Sequence, residues 1–198
     1  ILFMPDFKLR IKDKYTGVLN MVTYRLKDGS ECIIRKATVK DAAEIVKYSN
    51  TVGGESDFLS YGRNEFGHNI DQEKQMIKEY NESLNRIILL ALVHGEISGV
   101  LTFWGNCRKR LEHWGEMGIS VLRKYWNIGV GTTLINYFFE WAECNHIIKK
   151  VDLMVREDNY HAIMLYKKMG FQIEGRIRMA MKKDGNYYDF FYMGKIID

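Results

Sequence analysis

Proline is almost absent: Pro5 is the only one in 198 residues, so the chain lacks the usual punctuation for linkers and domain boundaries. Cysteine is sparse as well. Cys32, Cys107 and Cys144 are odd in number and widely spaced, giving neither a CxxC pair for zinc nor an even disulfide framework. The natural expectation is a reducing, cytoplasmic setting. Cys144 and His146 stand two apart, but a tetrahedral site needs further ligands that no other pattern supplies, and no metal is expected. Long apolar runs are missing too, since Ile87 to Val93 falls far short of the roughly 20 residues of a membrane-spanning helix. Ile1 to Met4 is apolar but stops at Pro5, without the basic flank and small-residue cleavage site of a signal peptide. No membrane partner is expected. Charge of one sign is also scarce: 29 Lys and Arg against 25 Asp and Glu leave +4, enough to suit an anionic ligand and too little for a nucleic-acid surface. Arg108-Lys109-Arg110, without interleaved aromatics, reads as a solvated turn, so no nucleic-acid partner is expected.

What is present is the composition of one globular domain, 46% hydrophobic and too apolar for a disordered chain. The first thirty residues read as an extension, with a half-buried strand at Phe7–Lys12 and an Asp28-Gly29 turn, an appended hairpin before the main domain at 31–198. Thr38-Val39-Lys40-Asp41 has capping-box spacing and opens a helix that ends near Gly53-Gly54. A second helix starts around Asn69, carrying Met76, Ile77 and Tyr80 inward and leaving Glu73, Lys74 and Lys78 polar. Three strands follow, Ile87–Val93, Ile97–Trp104 and Leu111–Leu122, as an antiparallel meander. A long helix from about Gly129 to Glu143 leads to a strand at Val151–Val155 and a helix at Asn159–Met169. Two last strands, Phe171–Lys182 and Tyr187–Ile196, join at Asp184-Gly185-Asn186. The predicted fold class is mixed α/β: about seven mostly antiparallel strands, about four flanking helices, and one parallel pair required by the central strand–helix–strand crossover.

The sharpest local feature is the strand-to-helix junction from Ile119 through Asn127, Ile128, Gly129, Val130, Gly131 and Thr132. Free amides at a helix N-terminus face the positive end of its dipole, and glycine lets an anion approach the backbone. A Walker loop would need a lysine between Gly131 and Thr132, and a dinucleotide fingerprint a small residue where Leu134 stands; both nucleotide readings lose ground.

Downstream lies Asn159-Tyr160-His161-Ala162-Ile163-Met164-Leu165-Tyr166-Lys167-Lys168-Met169-Gly170-Phe171, followed by Glu174-Gly175. Together with the glycine turn, this N-x-x-A-x-x-L-Y-x-K-x-G-F pattern resembles the GNAT superfamily of acyl-CoA N-acyltransferases over about Glu31 to Ile197. The C-terminal run Glu174-Gly175-Arg176-Ile177-Arg178, with Asp184-Gly185-Asn186-Tyr187-Tyr188-Asp189 and Met193-Gly194, most resembles the branch of ribosomal-protein and polyamine acetyltransferases.

The resemblance implies acetyl-CoA as co-substrate, with the backbone of Ile119 and Val121 pairing with the pantetheine arm and the amides from Asn127 to Thr132 holding the pyrophosphate. It implies that Asn159 hydrogen-bonds the amide groups of acetyl-CoA and that Tyr166 lies near the thioester sulfur. A tyrosine hydroxyl there can share a proton with a departing thiolate, although an aromatic four residues after Ala162 could equally pack in the core. Two departures stand out: Trp126 replaces the family's usual Gln or Arg, and Asn127 a frequent glycine. Some relatives place a glutamate five residues before the motif asparagine, where this chain has Met154, so Glu116 is the substitute candidate for the base. Glu55, expected on the loop after the first helix, is the candidate for binding a cationic substrate, and Arg123 and Lys124 could reach an anion. The acceptor is expected to be a small-molecule amine, or a protein N-terminus or lysine, with a homodimer left open. The competing expectation is a module that binds CoA and has lost transfer.

Overall fold

A computed structural model describes residues 9–12 and 19–197. The apolar start at Ile1–Pro5, and Phe7 and Lys8 of the expected first strand, lie outside the described residues. Among the described residues nine strands form one sheet: β1 (Leu9–Lys12), β2 (Leu19–Arg25), β3 (Glu31–Lys36), β4 (Arg86–Val93), β5 (Glu96–Gly105), β6 (Trp114–Val121), β7 (Lys150–Arg156), β8 (Gln172–Lys183) and β9 (Asn186–Ile196). Their order is β1-β2-β3-β4-β5-β6-β7-β9-β8. Every neighbouring pair is antiparallel except β6–β7. The seven expected strands are β3 to β9, and the N-terminal hairpin adds the other two. That hairpin is continuous with the sheet, because Met21–Arg25 pairs with Glu31–Arg35 and Val22, Tyr24 and Leu26 are buried in the main core.

Among the described residues four α-helices flank the sheet: α1 (Ala42–Glu55), α2 (Ile70–Glu82), α3 (Val130–Asn145) and α4 (Tyr160–Lys168). The unbroken apolar run of β4 has a simple cause. Ile87, Leu89, Ala91 and Val93 enter the core shared with α3, while Ile88 and Leu90 enter the core shared with α1 and α2, so both faces of the strand are covered. The Thr38–Asp41 capping box forms, over one 3-10 turn ahead of α1, and Asn69 caps α2 by accepting from the amides of Asp71 and Gln72.

Two elements differ from expectation. β6 starts at Trp114 rather than Leu111, because successive turns, Leu111 N–H to Arg108 O and Trp114 N–H to Leu111 O, consume the preceding backbone. Glu73 is buried rather than solvated: it sits four and seven residues before Ile77 and Tyr80, on the inward face of α2, and accepts a hydrogen bond from His68 at 3.0 Å.

Candidate active site at the split between two strands

The parallel pairing of β6 with β7 covers only Trp114–Glu116 against Lys150–Asp152. Beyond that rung β6 continues to Val121 on the arm of β5, and β7 continues to Arg156 on the arm of β9, so the two strands diverge. Trp114 O accepts from Asn106 and Leu122 N–H donates to Ser98 O, which puts the even-numbered backbone groups of β6 toward β5. By alternation the groups of Ile119 and Val121 face the split, beyond the last paired rung and without a strand partner among the described residues. A cleft of about 620 Å³ occupies the wedge.

At its mouth the chain turns into α3. Gly129 has φ +110°, a conformation strained for any L side chain, and Asn127 has φ +64°, which asparagine tolerates better than most residues. That tolerance explains how Asn127 stands in for glycine. The first-turn amides of Val130, Gly131 and Thr132 have no intrahelical acceptor and line the cleft with Gly129, whose carbonyl accepts from Thr133 at 3.0 Å. A Cβ on Gly131 would meet only ordinary contacts, the nearest being Leu165 Cδ2 at 3.6 Å, so the glycine leaves open space in the cleft wall. Ile128 does not line the cleft; its carbonyl accepts from the backbone of Lys27 at 3.0 Å, and the Lys27 ammonium donates to Asn127 O at 3.3 Å. Lys27 thereby enters the cleft rim from the N-terminal hairpin. The glycine motif carries no hint of it, being a hundred residues away in sequence.

Trp126 fills the position of the family's polar residue, and its indole N–H donates to Val121 O at 2.6 Å. One of the two expected strand-edge carbonyls is therefore already taken, while that of Ile119 faces the open split. Asn159 caps α4, its side-chain oxygen accepting from Ala162 N–H at 3.3 Å, and its amide group remains on the cleft wall. Tyr166 lines the cleft with its ring edge-on to Phe171 at 5.9 Å. Burial pushes its phenol up to about 12, so it stays a proton donor at neutral pH.

Glu116 stands at the last parallel rung, opposite Asp152, on the cleft wall. Burial first, and the nearby Asp152 second, push its carboxyl above the usual range. Asp152 itself is fully buried and held by the Trp114 indole, by Lys150 at 2.6 Å and by the Tyr192 hydroxyl at 2.7 Å. Met154 is exposed on the same wall. The far wall comes from the α1–α2 connection: Ser56, Phe58, Leu59 and Ser60 line it. Arg156 fixes that wall, donating to Asp57 O at 2.8 Å and stacking on both Phe58 and Tyr188. These aromatic contacts join segments a hundred residues apart, and no spacing in the sequence signals them.

Three expected residues lie elsewhere. Glu55 is the last residue of α1, not part of a loop, and it does not line the cleft; its carboxylate accepts from Arg123 N–H at 2.7 Å and its carbonyl accepts from the Arg123 guanidinium. Arg123 is spent on that contact and on stacking over Trp126, and Lys124 pairs with Glu96. Glu55 and Arg123 join α1 to the turn after β6, and Lys124 joins that turn to the start of β5.

Comparison with known proteins finds that residues 57–171 match the Acetyltransferase (GNAT) family. The chain belongs to that family. It is 33% identical over 108 residues to the L-amino acid N-acetyltransferase AaaT of Escherichia coli (strain K12), covering 54% of this chain and 67% of that protein. It is 30% identical over 154 residues to an N-alpha-acetyltransferase of Sulfurisphaera tokodaii, covering 74% of this chain and 83% of that one. Among solved structures, a GNAT-family acetyltransferase from Streptococcus pneumoniae superposes with a TM-score of 0.81 at 34% identity, over 84% of this chain and 99% of its own. The matched span runs from the connection after α1 to the residue before β8.

Proposed function

We propose that the protein transfers an acetyl group from acetyl-CoA to a primary amine by direct attack within a ternary complex. The observation that carries this reading is the cleft itself, whose lining brings together an open strand edge, an anion-ready helix N-terminus, a protonated tyrosine and a half-buried carboxylate. Bound there, acetyl-CoA supplies an acyl group activated as a thioester. The amides of Gly129 to Thr132 hold its phosphates, and the rest of the turn from Asn127 sets their position. The edge of Ile119, with the remaining amide of Val121, holds the pantetheine arm as a further strand would. Tyr166 keeps a proton for the departing sulfur, and Glu116, with its raised pKa, takes one from the incoming ammonium. Asn159 offers its free amide group to the arm.

The test is thiol release from acetyl-CoA with and without a panel of primary amines: small molecules, amino acids, and peptides offering an N-terminus or a lysine. Amine-dependent release supports the reading. Tight binding with no release for any amine sinks it and favours a CoA-binding module, a reading to which the occupied Val121 carbonyl lends weight.

A further inference from the structure

A second, smaller cavity of about 210 Å³ adjoins the cleft and shares Trp104 and Glu116 with it. Its remaining wall includes Arg86, Trp114, Asn106 and Cys107. The volume lies below the roughly 300–1,000 Å³ of drug-sized sites, which fits a compact ligand rather than a polypeptide.

The sheet register explains why these side chains meet. Arg86 pairs with Trp104, Trp104 with Glu116, and Glu116 with Asp152, so the four stand in one row across β4, β5, β6 and β7 on a single face. Neighbouring strands are about 4.8 Å apart, which sets the Arg86 and Glu116 backbones about 10 Å apart with an indole between them. Arg86 is half-buried. Its Nε donates to Gly105 O at 3.2 Å and its guanidinium lies over Tyr80 at 5.8 Å, contacts that hold the stem and one face of the group. Its terminal nitrogens have no carboxylate partner among the described residues, whereas Arg35, Arg156 and Arg176 each have one. A guanidinium withdrawn partly from water and left without an anion favours one that a ligand brings.

We infer that Arg86 and the two indoles form an acceptor subsite for a free amino acid with an apolar side chain, its carboxylate on Arg86 and its amine toward Glu116. This deepens the proposed function and rests on Glu116 marking the reacting end of the cleft. A protein N-terminus offers the same amine but an amide where the carboxylate would be, and so leaves Arg86 unpaired.

The experiment compares L-leucine with L-leucinamide, which stands in for a protein N-terminus. Binding is read from tryptophan fluorescence without acetyl-CoA, since Trp104 and Trp114 line the cavity; KM and kcat are read from thiol release. Wild type should bind and use leucine about 10- to 100-fold better than leucinamide, the range for charge-assisted hydrogen bonds. Arg86→Gln should erase that preference through KM, leaving kcat and the KM for acetyl-CoA in place, and Arg86→Lys should keep part of it. Equal binding of the two ligands by wild type, or an equal loss for both in Arg86→Gln, overturns the subsite. Leucinamide acetylated as well as leucine overturns the subsite and leaves the transfer reading standing. Carboxylate-dependent binding without any thiol release does the reverse.

Discussion

The two halves of the cleft are built from different materials. The half proposed for the donor is largely backbone: the free edge of β6, the glycine turn and the first amides of α3 come from one stretch between Trp114 and Thr133. The half proposed for the acceptor is side chains gathered from distant segments, with Phe58, Trp104, Glu116, Met154 and Phe190 on its walls and Arg156 pinning Phe58 to Tyr188. A backbone site tolerates exchange of side chains as long as the turn keeps its geometry: Asn127 keeps it at φ +64°, while Trp126 takes up one edge carbonyl with its own indole. A side-chain site changes its chemistry with one substitution. The donor half should therefore be broken only by filling it, and the acceptor half by removing a single group.

The largest effect should come from Gly131→Glu. The site has room for a Cβ, so the variant should fold, with its carboxylate at the helix N-terminus proposed to hold the phosphates. Acetyl-CoA at 100 times its wild-type dissociation constant stabilises wild type by about 2.7 kcal/mol, and differential scanning of the variant should show almost none of that. Tyr166→Phe should come next, lowering kcat by about 100- to 1,000-fold with acetyl-CoA binding retained, as for loss of one general acid. Equal turnover in the two proteins would make Tyr166 a packing residue against Phe171.

Glu116→Gln should be milder, about 10- to 100-fold in kcat, because water can take over part of a base's role. The base acts deprotonated, so the wild-type rate should climb with pH through a carboxyl pKa that burial and Asp152 hold above its ordinary value. That acid limb should disappear in the variant; an unchanged profile removes Glu116 from the mechanism. The smallest effect belongs to Lys27→Ala, which tests whether the hairpin contributes to the donor half. An exposed ammonium beside the turn should be worth about two- to five-fold in the KM for acetyl-CoA, fading with added salt. No change at low salt would confine Lys27 to holding Ile128 and Asn127.

The same division decides what the sequence can show. Strands, helices and the crossover follow from local periodicity and caps, and the glycine turn and the N-x-x-A-x-x-L-Y run are contiguous, so the turn and the family resemblance are legible in the amino-acid order. Glu73 reads wrongly there because a charged residue on the inward face of α2 looks solvated unless its partner, His68, is known to lie against it. Glu55 reads wrongly for a related reason: two glycines suggest that the helix has ended, whereas Ser56 N–H closes a final turn on Val52 O at 3.1 Å. The row Arg86, Trp104, Glu116 and Asp152 exists only through register across four strands. Nothing within any one of those segments announces it.

The central claim is that the split strand edge and the first turn of α3 form the acetyl-CoA site, and residue-resolved amide hydrogen exchange tests it most directly. Adding acetyl-CoA should slow exchange at Ile119, at Val121 and at Val130 to Thr132, whose amides face the cleft or lack an acceptor, and leave Leu89 and Leu90 in the centre of β4 unchanged. Binding that protects none of those amides would place the acetyl-CoA site elsewhere and contradict the account.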